Sequence, residues 1–156
     1  NMLAAILTHH ARPRGILFDR PHVVGEAPAL LTAKGVMDRV RIEAGDFFSS
    51  VPSGGDAYVL SHIIHDWSEE QCLTILGHCR RAMSPTSRLL IIEMVLSEGN
   101  AFHPGKMLDM TMLATTPGQE RTEPEYRALL DKAHFRLTRV IPTNTLNTDG
   151  SDRPDG

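Results

Sequence analysis

Short apolar runs alternate with amphipathic stretches along most of the sequence. Leu3, Ile6 and Leu7 fall at helical spacing and predict a helix over residues 2–7. Gly15-Ile-Leu-Phe-Asp19 is apolar and ends in an acid ahead of Pro21, the pattern of a buried strand finishing at its carboxyl edge. Residues 28–36 read as a helix, 40–46 alternate like a strand, Gly54-Gly55 marks a loop, and 57–60 form another short strand. Ser68-Glu-Glu-Gln71 matches a capping box, in which the hydroxyl accepts the third amide and Gln71 reaches back. Behind it Cys72, Ile75, Leu76, Cys79 and Met83 mark one apolar face, Arg80 and Arg81 suit the helix C-terminus, and Pro85 stops the helix. Residues 88–95 are the most strongly marked strand, and 106–114 read as helical. Thr122-Glu-Pro-Glu125 is a second capping box, opening a helix with Tyr126, Leu129, Leu130 and Ala133 inward. Residues 135–141 alternate as a closing strand, and the polar stretch 144–156 is expected to be disordered.

Regular alternation of helix and strand implies an α/β domain with a mainly parallel sheet. Such sheets bind ligands at the carboxyl ends of their strands, which singles out Asp19, Asp46, the stretch from Ser61 to Asp66, and Glu93 onward. With 156 residues, 41% hydrophobic and 22% charged, the chain has the composition of one globular domain. A net charge of −3 leaves no electrostatic footprint for nucleic acid, and 5% aromatics offer few stacking platforms. No apolar run approaches the ~20 residues that span a bilayer, so a cytoplasmic protein without membrane contact is expected. Cys72 and Cys79 share one helix face and read as reduced core thiols.

The candidate chemistry sits at the strand ends. Asp19 can accept both hydroxyls of a ribose, or simply hold a turn before Pro21. Asp46 beside Phe47 and Phe48 suits a purine, though the rings serve equally well as core. His62-Ile-Ile-His65-Asp66-Trp67 offers two histidines, but no third ligand lies at a convincing distance in the sequence, so no metal is expected. A histidine just past a strand end suits proton transfer, because an imidazole with its ordinary pKa near ~6.5 is mostly neutral at pH 7. His65 could also merely pack or cap the next helix. Glu93 interrupts an apolar run and must find a partner, either a cation or a ring nitrogen. Glu120 lies in Pro117-Gly-Gln-Glu-Arg-Thr122, where pairing with Arg121 is the plain alternative.

Taken in order, Phe18-Asp19, Gly45-Asp46-Phe47-Phe48, Leu60-Ser-His-Ile-Ile-His-Asp-Trp67, Ile91-Ile-Glu93 and Pro117-Gly-Gln-Glu-Arg-Thr122 resemble the caffeic-acid and hydroxyindole type of O-methyltransferase, including bacterial natural-product members. The similarity runs over residues 2–143. It implies a Rossmann-like class I methyltransferase sheet with helices on both faces. It further implies S-adenosyl-L-methionine as cofactor and methyl transfer to a small aromatic or polyketide-like acceptor, usually a phenol. By the same resemblance His65 is the general base, and Glu93 and Glu120 flank it. Asp19 holds the ribose, Asp46 and Phe47 hold the adenine, and Ser61 stands where many members have a lysine that reaches the cofactor's carboxylate. Asp66, Met107, Met110 and Met112 then belong to the acceptor site, where methionine suits a flat ring.

Three departures accompany the resemblance. The family's Asp-x-Gly-Gly-Gly-x-Gly strand and loop do not precede Met2, and that strand would lie mid-sheet, leaving a gap. The helical N-terminal domain with which members form homodimers is missing, and the family's final strand does not follow Pro142-Thr143. Residues 1–143 are therefore expected to be a partial catalytic domain, from a longer enzyme or completed by another chain. The competing expectation is a non-catalytic relic or small-molecule-binding module of the same fold.

Overall fold

The computed structural model describes residues 2–96 and 118–143. Its first half runs α1 (Met2–His9), β1 (Gly15–Asp19), α2 (Pro21–Val24), α3 (Ala27–Ala33), a 3-10 turn (Met37–Arg39) and β2 (Val40–Ala44). The second half runs β3 (Ala57–Ser61), a 3-10 turn (Ile64–Asp66), α4 (Glu69–Ala82), β4 (Arg88–Ile92), β5 (Val95–Leu96), β6 (Arg121–Thr122) and α5 (Glu123–Lys132). The expected α/β alternation is present. The predicted helix over 106–114, with Met107, Met110 and Met112, lies outside the described residues, as does 144–156.

Both capping boxes form. Ser68 Oγ accepts the Gln71 amide at 3.4 Å while Gln71 Oε1 accepts the Ser68 amide at 3.2 Å. At α5 the Glu125 carboxylate accepts both the amide of Thr122 at 2.7 Å and its hydroxyl at 2.8 Å. α3 ends earlier than its apolar pattern suggests, because Gly35 at φ 66° lets Val36 donate to Leu31 and Gly35 to Thr32. α1 buries Ala4 and Leu7 and leaves Ile6 38% exposed, so its inward face is rotated from the predicted one.

Among the described residues the strands form three separate parallel pairs, β1 with β2, β3 with β4, and β5 with β6. β1 and β3 are not hydrogen-bonded to each other. The first two pairs each carry a core. Ala4, Leu7, Ala27, Leu31, Val36 and Val40 pack over β1 and β2. Ile64, Cys72, Leu76, Tyr126, Leu129 and Leu130 pack over β3 and β4, joined by Leu60, Leu89 and Ile91. Ring contacts bridge the halves: Phe48 meets Trp67 edge-on at 4.7 Å and Phe47 does so at 6.0 Å.

Two strand predictions need correction. The strand expected over 88–95 is interrupted at Glu93 and Met94, splitting into β4 and β5. Residues 135–141 form no strand, since no neighbouring strand among the described residues offers them a ladder. Cys72 and Cys79 are free and buried as expected, and burial pushes the Cys79 thiol up to about 11. No described helix is long and apolar enough to cross a membrane.

Candidate active site

Register assembles the site. Ser61 pairs with Ile92, and the His62 amide donates to the Ile92 carbonyl at 3.0 Å, so Glu93 emerges opposite His62. Val95 pairs with Arg121, which sets Glu120 one residue before that pairing, alongside the same break in the strand. Two acids 27 positions apart in sequence thus meet the turn that follows β3.

The turn has an unusual backbone. His62 adopts φ 53°, and Ile63 follows at φ −117°, ψ −52°. A left-handed residue followed by a right-handed one aims successive amides at one point, which makes an anion nest. Glu93 fills it: Oε1 accepts the Ile63 amide at 2.9 Å and the Ile64 amide at 2.7 Å. The strain of a non-glycine residue at positive φ, about 1–3 kcal/mol, is offset by these charge-assisted bonds. Burial raises the Glu93 carboxyl above its usual range, against the lowering influence of His65 and the two amides.

His65 is carried on the 3-10 turn, its side chain 15% exposed. Its Nδ1 lies 3.0 Å from Glu120 Oε1 and 3.5 Å from Glu93 Oε2, and its Nε2 lies 3.4 Å from Asp66 Oδ1. The side chains of Glu93 and Glu120 are essentially buried. The structure therefore brings His65, Glu93 and Glu120 together, with both glutamates on the same ring nitrogen. The Glu120 acceptor at Nδ1, with a second carboxylate beside it, favours the tautomer with its proton there, leaving the lone pair on Nε2.

Several residues that support this arrangement were not read from the sequence as part of the site. Arg121, 2% exposed, does not pair with Glu120; its guanidinium donates to the carbonyls of Ile64 at 3.2 Å and Gln119 at 3.1 Å. The Cys72 thiol donates to Ile64 O at 3.2 Å from the other side. Gly118 packs so closely that a Cβ there would collide with the His65 carbonyl oxygen. The Tyr126 hydroxyl is buried beneath the two glutamates without a hydrogen-bond partner among the described residues. The only sequence signal for Gly118 and Arg121 was their place in the Pro-Gly-Gln-Glu-Arg-Thr string.

The nucleoside candidates lie at the carboxyl ends of β1, β2 and β3. Asp19 Oδ1 accepts the Arg20 amide at 2.7 Å, and the residue lines a cavity of about 310 Å³ with Leu17, Val23, Glu26 and Leu30. Acidic groups on an apolar wall fit a nucleoside diol. Asp46 is exposed and turned onto its own loop, with Oδ1 accepting the Phe48 amide at 2.8 Å. Phe47 is half-buried against Phe48 and Trp67, and Ser61 ends β3.

The sequence and the fold both have known relatives. The chain matches the O-methyltransferase domain family over residues 1–136. It is 46% identical over 142 residues to the phenazine O-methyltransferase PhzM of Lysobacter antibioticus, covering 91% of this chain and 42% of that protein. The crystal structure of LaPhzM superposes with a TM-score of 0.87 at 46% identity, covering 92% of this chain and 43% of that one. CalO1, a methyltransferase of calicheamicin biosynthesis solved in an SAH-bound form, gives 0.83 at 40% identity over 92% of this chain and 42% of its own. The chain thus spans about two fifths of the length of these relatives. Fold and sequence identity coincide, and the chain belongs to the O-methyltransferase domain family.

Proposed function

We propose that the protein transfers a methyl group from S-adenosylmethionine to the hydroxyl of a small aromatic acceptor, with His65 as general base. The observation that carries this reading is a largely buried imidazole held on Nδ1 by Glu120 at 3.0 Å, with Glu93 at 3.5 Å. S-adenosylmethionine, when bound, supplies an electrophilic methyl on a sulfonium sulfur. His65 Nε2 takes the proton from the acceptor hydroxyl as the oxygen becomes a nucleophile. Glu120, Glu93 and Asp66 stabilise the imidazolium that results. Asp66, whose side chain is 46% exposed, would also meet the acceptor.

Asp19 would hold the ribose, Asp46 and Phe47 the adenine, and Ser61 the cofactor's carboxylate. For Asp46 this requires sharing a carboxylate already engaged with its own loop. Met107, Met110 and Met112 would line the acceptor pocket. The phenazine relative and the antibiotic-pathway neighbour support a flat natural-product acceptor. Family resemblance supports a homodimer.

The test is His65→Ala in the protein, assayed with S-adenosylmethionine and phenolic acceptors. Methyl transfer should fall about 10²–10⁴-fold while S-adenosylhomocysteine affinity by calorimetry is retained. Unchanged turnover removes His65 from the role. The separation of β1 from β3 favours one competing reading, a binding module that does not turn over. Measurable cofactor binding together with methyl transfer rejects it.

A further inference from the structure

We infer that His62, His65 and Glu93 form a binding site for a borderline-soft divalent cation of the zinc type, one that competes with proton transfer at His65. In the sequence the His-x-x-His pair has no third ligand. Folding supplies one: the register of Ser61 with Ile92 sets Glu93 opposite His62. One ligand atom from each of the three residues then lies within 4.8 Å of the others.

The details favour a ligand set over a chance cluster. Glu93 uses Oε1 on the two amides of the turn, whereas Oε2 is buried with no hydrogen-bond partner among the described residues. That oxygen already lies 3.5 Å from His65 Nδ1. His62 sits at φ 53° with its ring exposed, 5.7 Å from the His65 ring between centroids. Zinc holds nitrogen and oxygen ligands at about 2.0–2.2 Å, so tetrahedral neighbours stand roughly 3.3–3.5 Å apart. Closing the cluster requires a movement on the order of 1 Å, which the exposed His62 ring can make. Two imidazoles and one carboxylate are a zinc-type donor set with positions left open, and they are too few oxygens for calcium or magnesium.

The consequence for catalysis rests on the reading of His65 as base. A neutral imidazole carries one proton and one lone pair. A metal on either nitrogen takes the lone pair, and the remaining nitrogen bears the proton. No acceptor is left for the substrate hydroxyl, so the cation is a reversible inhibitor that ligates the catalytic histidine.

Co²⁺ is the probe, read by visible d–d absorption in protein first stripped with a chelator. The expected result is a band that Zn²⁺ displaces and that weakens about 100-fold or more in His62→Asn. Asparagine tolerates positive φ, so the nest persists; His62→Gly serves as a second variant. Stripped His62→Asn should lose the sensitivity to Zn²⁺ that the stripped wild type shows, each rate taken relative to its own metal-free value. Equal Co²⁺ affinity in wild type and both variants overturns the site. A His62-dependent band with turnover undiminished at saturating Zn²⁺ upholds the site and overturns His65 as the base.

Discussion

His65 is held on one ring nitrogen by two acids that do different jobs. Glu120 is its nearer partner at 3.0 Å, while Glu93 spends one oxygen on the amides of Ile63 and Ile64 and so shapes the turn that carries the imidazole. The resemblance named both acids as flanking the base, but the division between them comes from the backbone at His62. Gly118 is the tightest neighbour. Its missing Cβ would strike the His65 carbonyl oxygen and stand 2.6 Å from the carbonyl carbon of Asp66. Backbone cannot step aside as a side chain tip can, so Gly118→Ala should cost about 1–3 kcal/mol in denaturant melts. Methyl transfer should fall with it, because the strain displaces the loop that presents Glu120. Tyr126 makes the opposite prediction. Burial beside Glu93 and Glu120 drives its phenol well above the usual range, and its hydroxyl is buried unsatisfied among the described residues. Tyr126→Phe should leave stability unchanged or raise it by up to ~1 kcal/mol. A clear loss in the melt would mean that the hydroxyl has a partner.

The caps were the most legible parts of the secondary structure, because they depend on residues three positions apart. Ser68→Ala should cost about 1 kcal/mol, measured as a shift in the urea midpoint. Glu125 adds a pH dependence. The amide and hydroxyl of Thr122 hold its carboxyl below the usual range. A carboxyl with a lower pKa folded than unfolded adds stability that is present above the unfolded value, ~4.3, and lost as pH falls through the folded one. Glu93 has the reverse sign: burial raises its carboxyl, so the cost of its charge is relieved as pH falls through that raised value. Glu125→Gln should therefore flatten the acid side of the stability profile, and an unaltered profile would rule the contact out as a source of stability. Arg39 was not legible at all. Its guanidinium reaches back from the 3-10 turn before β2 to the carbonyls of Leu7 at 2.7 Å and His10 at 2.8 Å, closing the C-terminus of α1. Nothing in the local pattern around residue 39 announces a partner some 30 positions earlier.

The two halves have separate cores with no shared residue, and Trp67, the single tryptophan, touches both through Phe47 and Phe48. Unfolding should accordingly depart from two-state behaviour. Tryptophan fluorescence reports undocking at that ring contact, and its midpoint should precede the far-UV circular dichroism transition. Coincident transitions would show that the halves unfold as one. Parallel sheets are normally covered on both faces, yet Val59, Leu90 and Ile92 are 42%, 46% and 37% exposed. The alternation along β4 predicts which side chains share a face, but it cannot say whether anything covers that face.

Local spacing was enough to establish the α/β order, the two helix starts and the strand-end acids, because each of these depends on neighbours a few residues apart. The motif strings carried the family and the trio at 65, 93 and 120. Folding alone determined that β4 breaks at Glu93, that residues 135–141 pair with nothing among the described residues, and that His62 turns left-handed to make a nest. It also made Glu93 a third potential ligand to a histidine pair that seemed incomplete in the sequence. Those outcomes depend on parallel register, which joins residues about 30 positions apart, and on close contacts such as Gly118 against His65. Neither has a short-range signature in the chain.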